Sequence, residues 1–184
     1  QQGLSVDASD ISEGMIAVCK EKNIPKVNFS VCDSREIFSQ YGGKKFDLLF
    51  SNFGGLNCLN LTEINQFLAN STKLLRPNGI VAAVIMGRKC FWERFYFRRK
   101  KDNRLNRRMS KKGVETTIND QQFLTHYYSP EEFFHSGKEV FTLIKCKPIG
   151  LFVPPSYFNS KFKNKKTLLN ILFTLEKLSP FSFL

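Results

Sequence analysis

Short apolar runs alternate with segments of helical periodicity along the first half of the chain. Strands are predicted at Leu4 to Ala8, Val27 to Val31 and Phe46 to Phe50. The uninterrupted apolar run from Ile80 to Met86 is typical of a parallel strand that is buried on both faces. Because helix-forming segments separate these runs, the pattern predicts βαβ units and a parallel sheet.

The signals for helix starts and stops support this order of elements. Ser12 is placed to cap a helix that follows the first strand, and a short helix is predicted over Arg35 to Gln40. A longer helix is predicted from Thr62 to Leu75, with its apolar residues on one side. Pro77-Asn78-Gly79 then predicts a break and a turn before the last apolar run.

The pattern changes after Gly87. Arg88 to Lys112 mixes aromatic and basic residues and is interpreted as a helical segment. It belongs to a predicted insertion or cap, residues 88–120, over the ligand edge of the sheet. The whole chain, 1–184, is predicted to form a single domain. Further elements are predicted along the remaining chain: a strand at Thr125 to Tyr128, a helix that begins at Ser129-Pro130-Glu131-Glu132, a strand at Phe141 to Cys146 and an amphipathic helix at Lys166 to Leu178.

Charge is concentrated in that basic segment. Residues 88–112 contain 12 Lys or Arg against Glu93 and Asp102, so most of the chain's net charge of +12 lies there. The segment could bind phosphates while its aromatic rings stack on bases. A solvated cap with an apolar underside explains the same pattern and is favoured, because charge runs usually form solvated faces.

Cysteine and apolar patterns exclude several classes of protein. The five cysteines are scattered and form no C-x-x-C pair, so neither a disulfide framework nor a metal site is predicted, and reduced thiols in the cytoplasm are expected. No run approaches the roughly 20 apolar residues that a membrane-spanning helix needs. The sequence does not indicate an oligomeric state.

Polar residues follow three of the predicted strands, where open α/β sheets bind ligands. A carboxylate at Asp10 can accept hydrogen bonds from the two hydroxyls of a ribose, and Asp33 can accept one from the amine of adenine. The segment Ser51 to Asn57 could approach a ligand through its glycines. Structural roles are the alternatives: a helix cap for Asp10, a solvated loop residue for Asp33 and a plain turn for the third segment. Asp7 is a nearby rival for the ribose role.

The sequence offers only weak candidates for a catalytic nucleophile or a general base. His126, one of only two histidines, is a weak candidate for a general base, since a histidine beside aromatic residues is more often structural. Cys58 is a still weaker candidate for a nucleophile, because no histidine lies near it in the sequence.

Taken together, the ordered pieces of the first half resemble the class I S-adenosylmethionine-dependent methyltransferases. The pieces that carry the resemblance are Val6 to Ser12 with Met15-Ile16, Val27 to Phe29 leading to Cys32-Asp33-Ser34, Phe46 to Asn52, Leu74 to Gly79, and Ile80 to Met86. The resemblance implies an α/β fold: a Rossmann-like three-layer sandwich with a mostly parallel sheet. It also implies S-adenosylmethionine as the cofactor.

The resemblance assigns roles to individual residues. Asp10 would hold the ribose of the cofactor, Ile11 would flank its adenine, and Asp33 with the backbone of Ser34 would bind the adenine edge. The turn after the third predicted strand would line the methionine moiety and face the substrate, through Ser51, Asn52, Phe53 and Gly54.

The chain departs from the family at both ends. The family's first strand with its Gly-x-Gly loop has no counterpart, and neither does its final antiparallel strand, so the chain is expected to be a fragment of a longer methyltransferase. The turn Ser51-Asn52-Phe53-Gly54 also differs from the Asn/Asp-Pro-Pro-aromatic turn of enzymes that methylate nucleic-acid amines.

The function predicted from the sequence is therefore methyl transfer to a small-molecule acceptor. One alternative is a nucleic-acid-binding protein or an RNA methyltransferase that uses the basic segment 88–112. Another is a nicotinamide-dependent oxidoreductase, since an acid at the position of Asp10 suits either cofactor.

Overall fold

The computed structural model describes residues 3–52, 54–118, 121–155, 158, 162 and 165–178. The chain divides into two compact units, the first reaching to Val84 and the second beginning at Ile85. The predicted insertion, residues 88–120, lies within the second unit.

Strands and helices alternate throughout the first unit, as predicted. Its elements are β1 (Val6–Asp10), α1 (Glu13–Glu21), β2 (Val27–Val31), α2 (Ile37–Tyr41), β3 (Phe46–Ser51), α3 (Leu61–Leu74) and β4 (Leu75–Ala83). Short 3-10 helices at Ser34–Glu36 and Leu56–Cys58 follow β2 and β3.

The strands of the first unit form two parallel pairs. β1 runs beside β2 from the pair Val6 and Val27 to the pair Asp10 and Val31. β3 runs beside β4 and ends where Ser51 lies opposite Ala83. A helix connects the two strands of each pair, which is the βαβ connection that the sequence predicted. Because both pairs are parallel, the strands of each pair end at the same edge.

The first strand begins two residues later than predicted. Leu4 is 67% exposed and precedes β1, which continues to Asp10 because every residue from Val6 onward pairs with β2. An apolar residue at the end of a strand is a weak boundary signal, and the register with the neighbouring strand decided the true limit.

The predicted break at Pro77-Asn78-Gly79 lies inside a strand. β4 begins at Leu75 and continues to Ala83, so the expected separation of helix and strand by a free turn is wrong. Two steps along β3, from Phe46 to Leu48, correspond to five along β4, from Leu75 to Ile80. The turn residues are therefore accommodated as a bulge, in which Asn78 has a φ of +63°.

Helix α3 supplies much of the core of the first unit. Ile64, Phe67, Leu68 and Leu74 are buried on one face, in agreement with the predicted periodicity. Asn60 caps the helix by accepting from the backbone N–H of Glu63, whose carboxylate accepts from the N–H of Asn60 in return.

The second unit contains helices and one antiparallel hairpin among its described residues. Its elements are α4 (Phe91–Lys100), a 3-10 segment (Asn103–Met109), β5 (Val114–Ile118), β6 (Gln121–Thr125), α5 (Pro130–Gly137) and α6 (Lys166–Leu178). The capping box at Ser129 and the bounds of α6 agree with the sequence prediction.

Two strand predictions in this unit are wrong. The strand expected at Thr125 to Tyr128 ends instead at Thr125, beyond which Tyr128 makes only an isolated bridge to Gly87. No strand forms at Phe141 to Cys146, where Ile144 is 78% exposed. An apolar run becomes a strand only when a neighbouring strand accepts its hydrogen bonds, and no described strand pairs with this run.

No helix within the described residues is long and apolar enough to span a bilayer.

Candidate functional site

Asp10 occupies the last position of β1. Its Oδ1 accepts a hydrogen bond of 2.8 Å from the backbone N–H of Ser12, which in turn caps α1 by accepting from Met15 at 3.3 Å. Its Oδ2 has no hydrogen-bond partner among the described residues, and the side chain is exposed. One carboxylate oxygen thus shapes the turn, while the other is available to a hydroxyl donor.

Asp7, the rival for the same role, is engaged elsewhere. Its carboxylate accepts from Lys44 Nζ at 2.9 and 3.0 Å and from Asn28 Nδ2 at 3.1 Å. The hydrogen bond from Lys44 is the main reason that the pKa of Asp7 lies below its usual value. Asp7 also lies near the start of β1, away from the carboxyl end of the strand where ligands bind.

Asp33 follows the end of β2, and its carboxylate accepts hydrogen bonds from two donors of Arg35. Its Oδ1 caps the 3-10 helix Ser34–Glu36 by accepting from the backbone N–H of Arg35 at 2.9 Å. Its Oδ2 lies 2.6 Å from Nη1 of the same arginine. Each carboxylate oxygen has a second lone pair, so Asp33 can still accept from a ligand amine.

Arg35 is a residue of this region that the sequence analysis missed. Its Nε donates to Glu63 Oε1 at 2.7 Å, so a single guanidinium connects Asp33 with the first turn of α3. The other oxygen of Glu63 completes the capping box with Asn60. The partner of Arg35 is 28 residues away in the sequence, and no local spacing could have indicated the pair.

Ile11 and Ser34 lie next to these two acids. The Ile11 side chain is 60% exposed immediately after β1, as a residue that covers a ligand ring would be. Ser34 is half-buried at the start of the 3-10 helix. Their predicted contacts with adenine remain predictions.

The turn after β3 is built around a glycine conformation. Ser51 ends the strand, and its carbonyl accepts from the N–H of Val84 at 2.9 Å. Gly54 has a φ of +86°, which side chains strongly disfavour, and its carbonyl accepts from the N–H of Asn57 at 3.1 Å. Asn52 is exposed, and Phe53, which was predicted to line the same site, lies outside the described residues.

Contacts within the first unit bring the predicted acids to one edge. Asp10 lies opposite Val31 in the register, and its carbonyl accepts from the N–H of Cys32 at 3.0 Å, one residue before Asp33. Both carboxylates act on the thiol of Cys58, in the 3-10 helix after β3. Asp10 and Asp33 therefore lie at one edge of the first strand pair, and their charges reach the 3-10 helix that follows β3.

Cys58 is poorly suited to act as a nucleophile. Partial burial of the thiol is the main cause that raises its pKa above the usual value. The positive charge of Arg35 lowers the pKa, whereas the negative charges of Asp33 and Asp10 raise it further. Since the thiolate is the reactive form, this environment weakens the reactivity of the residue at neutral pH.

His126 lies in the second unit, directly after β6. Its ring is half-buried and stacks on Tyr128 with centroids 6.3 Å apart and an angle of 14° between the planes. A Cβ at Gly113 would lie 3.0 Å from its Cε1. These contacts are those of a packed side chain, and a role as general base stays a prediction. The described residues contain no cluster of side chains that could hold a metal ion.

Comparison with known proteins supports the interpretation of the first unit. Residues 1–79 match the profile of the family described as "Methyltransferase domain". No curated protein sequence has significant similarity to this chain.

Two solved structures show the fold. A SAM-dependent methyltransferase from Methanosarcina mazei has 15% identity and a TM-score of 0.55, over 75% of this chain and 69% of that chain. The structure described as "DhpI-SAM-HEP complex" has 17% identity and a TM-score of 0.50, over 73% of this chain and 58% of that chain. At these identities the similarity shows a common fold, and this chain spans only part of either protein.

Proposed function

The chain has the Rossmann-like fold of the class I S-adenosylmethionine-dependent methyltransferases, and on this premise we propose that the protein transfers the methyl group of S-adenosylmethionine to a small-molecule acceptor. The observation that carries the proposal is the placement of Asp10. It lies at the carboxyl end of β1 with one carboxylate oxygen available, beside Asp33 at the end of β2. We also propose a cytoplasmic location, since five scattered cysteines without C-x-x-C spacing are typical of reduced proteins.

The described residues fit the chemistry of this cofactor. Asp10 offers Oδ2 to ribose hydroxyls, and its Oδ1 is held in place by the N–H of Ser12. Asp33 offers its remaining lone pairs to the adenine amine, while Arg35 fixes its orientation. Beside them, Gly54 allows the backbone of the turn after β3 to take a left-handed conformation without strain.

In such a reaction, the main contribution of the protein is to align the cofactor with the acceptor. The bound cofactor supplies a methyl group on a positively charged sulfur, which a lone pair of the acceptor displaces in line. Since the sulfonium is already activated, most of the acceleration comes from holding the two reactants close and aligned. A base is needed only for an acceptor that carries a proton at neutral pH. The first unit contains no histidine, since His126 and His135 both lie in the second.

A small-molecule acceptor is favoured by the turn after β3. Enzymes that methylate nucleic-acid amines share an Asn/Asp-Pro-Pro-aromatic turn at this position. This chain has Ser51-Asn52-Phe53-Gly54 there instead.

The test is calorimetric titration of the protein with S-adenosylmethionine and, separately, with NAD. We expect saturable binding of the first and none of the second. Asp10→Asn keeps an oxygen that can accept from the N–H of Ser12 but removes the negative charge. Since a hydrogen bond to a charged group contributes about 1.5–3 kcal/mol, the variant should bind roughly ten to a hundred times more weakly.

Asp47→Asn is the matched control. Asp47 is an exposed acid whose only ion pair is with Arg76 among the described residues, so its loss should leave the affinity unchanged. If the folded protein binds NAD but not S-adenosylmethionine, the oxidoreductase alternative replaces this proposal. If Asp7→Asn weakens binding as much as Asp10→Asn does, the ribose site has been assigned to the wrong residue.

A further inference from the structure

Helix α4 presents two phenylalanines in the middle of a row of arginines. At 3.6 residues per turn, the exposed residues before Lys100 span an arc of roughly 140° around the helix. Their order across this arc is Arg94, Arg98, Phe91, Phe95 and Arg99, and all five are exposed. These five residues form the α4 outer face.

The two phenylalanines of this face are exposed aromatic rings that lie nearly parallel to each other. Phe91 is 66% exposed and Phe95 is 47% exposed, one helical turn apart. Their rings stack with centroids 6.4 Å apart and an angle of 16° between the planes. Large apolar rings that remain exposed and parallel to each other are available to a further planar ring.

The arginines of the α4 outer face form no ion pair with any acid that the structure describes. The acids of the same segment are used by other cations: Glu93 pairs with Arg107 and Arg108, and Asp102 with Arg104. Glu132 of α5 is likewise paired with Arg88.

The inner side of α4 holds the helix in this orientation. Trp92 donates its indole N–H to the carbonyl of Leu151 at 3.1 Å, and its ring packs against Phe158. Phe97 is 6% exposed and lies under the guanidinium groups of Arg104 and Arg107. These contacts therefore fix which residues of α4 face outward.

From this arrangement we propose that the α4 outer face binds single-stranded nucleic acid. Unpaired bases stack on Phe91 and Phe95, and the flanking phosphates contact Arg94, Arg98 and Arg99. Stacking platforms set in a basic groove are the general means by which proteins bind single strands without sequence preference. This binding is independent of the proposed methyl transfer and does not require that the nucleic acid be its acceptor.

A membrane surface fits the same face less well. A helix that lies in a bilayer interface separates its apolar and charged residues onto opposite sides, with an apolar arc of about 100° or more. The two phenylalanines of α4 cover only roughly 40° of the helix circumference, and arginines lie on both sides of them. Burying the rings in lipid would draw the flanking guanidinium groups into the apolar layer.

The test is fluorescence anisotropy with a labelled 12-nucleotide single-stranded RNA, its DNA counterpart and a duplex of the same sequence. We expect both single strands to bind, with a dissociation constant of roughly 1–100 µM at physiological salt, and the duplex to bind at least fivefold more weakly. Preference between RNA and DNA then identifies which single strand the face accepts.

Two variants separate the contributions of stacking and charge. Phe91→Ala with Phe95→Ala should weaken single-strand binding at least tenfold and leave its salt dependence unchanged. Arg94→Gln with Arg98→Gln and Arg99→Gln should lower the slope of log affinity against log salt by about 2, since each phosphate contact on a single strand contributes about 0.7.

Matched controls remove the same number of charges, or the same number of exposed apolar side chains, at other positions. Lys20→Gln with Lys22→Gln and Lys138→Gln removes the same charge, and Ile171→Ala with Phe173→Ala removes exposed apolar side chains of α6. Both should bind RNA as the unmodified protein does, and circular dichroism should show that every variant is folded.

Equal losses in the lysine control would overturn the proposal, since binding would then depend on net charge alone. Undiminished binding by the phenylalanine variant would overturn it as well. The same holds if vesicles containing phosphatidylserine bind through α4 while the RNA does not bind at 50 mM salt.

Discussion

Arg35 contacts Asp33 through two different donors, its backbone N–H at 2.9 Å and its Nη1 at 2.6 Å. The same side chain donates to Glu63 at 2.7 Å. A carboxylate that the sequence presents as a free loop residue is therefore oriented by a neighbour two positions away. That neighbour is in turn held by a helix that begins 26 residues further along the chain.

We expect Arg35→Met to weaken the binding of S-adenosylmethionine by about three- to tenfold, because Asp33 loses the donor that orients Oδ2. The cost in stability should be small, about 0.5 kcal/mol, since the ion pairs are partly exposed to solvent. Calorimetry and thermal unfolding measure the two effects. Arg76→Met removes a comparable exposed pair with Asp47 and should not change the affinity.

Gly54→Ala should destabilise the first unit by about 1–2 kcal/mol, because a residue with a Cβ is strained at a φ of +86°. Cofactor affinity should fall with it if the turn after β3 lines the site. Chemical denaturation gives the first quantity and calorimetry the second. Gly43→Ala is the control, since Gly43 has no positive φ and a Cβ there would meet no atom within 4 Å. A neutral Gly54→Ala would mean that the turn relaxes without cost.

Glu93→Gln should lower the free energy of unfolding at pH 7 by about 3 kcal/mol, because two arginines lose the charge that compensates them in a buried setting. Burial raises the pKa of Glu93, but hydrogen bonds from Arg108 and Arg107 outweigh this and bring the pKa to about 2. A carboxylate with a lowered pKa stabilises the folded state above its unfolded pKa.

The difference between the unmodified protein and Glu93→Gln should therefore be constant above about pH 4.5 and shrink as the pH falls toward 2. Urea unfolding over a series of pH values measures it. Glu139→Gln, at an exposed position, should show no such dependence. A gap that stays constant down to pH 2 would show that the ion pairs do not depend on the ionisation of Glu93.

Glu176 anchors the loop before α6 by accepting from the N–H groups of Leu151, Phe152 and Val153 at 3.1, 2.7 and 3.3 Å. We expect Glu176→Ala to lower the free energy of unfolding by about 1–3 kcal/mol, since three donors lose their acceptor. Limited proteolysis should then cleave near residues 151–153 sooner. Lys177→Ala, next to it on the exposed side of α6, should leave the cleavage rate unchanged.

The local elements of the fold could be predicted from the sequence to a large extent. Ser12, Asn60 and Ser129 cap helices through partners three residues away, and short-range pairs of this kind are visible in the sequence. The strand Val27–Val31 and the helix Lys166–Leu178 have the predicted bounds. The strand predicted at Phe141 to Cys146 failed because strands depend on a partner, and hydrophobicity alone does not supply one.

The candidate site could be predicted only in part. Asp10 and Asp33 were identifiable because they follow apolar runs whose ends meet at one edge of a parallel pair. The contact that favours Asp10 over Asp7 as the proposed ribose ligand joins Asp7 to Lys44, which is 37 residues away, so the sequence could not show it.

By itself, the sequence determined where helices begin, which residues alternate as strands and where positive charge accumulates. Each of these depends on neighbours a few positions away. The tertiary structure alone decided that Arg35 joins Asp33 to α3, that a bulge takes up Pro77 to Gly79, and which residues of α4 face outward. These depend on hydrogen bonds and burial between distant segments, whose partners are set only when the chain has folded.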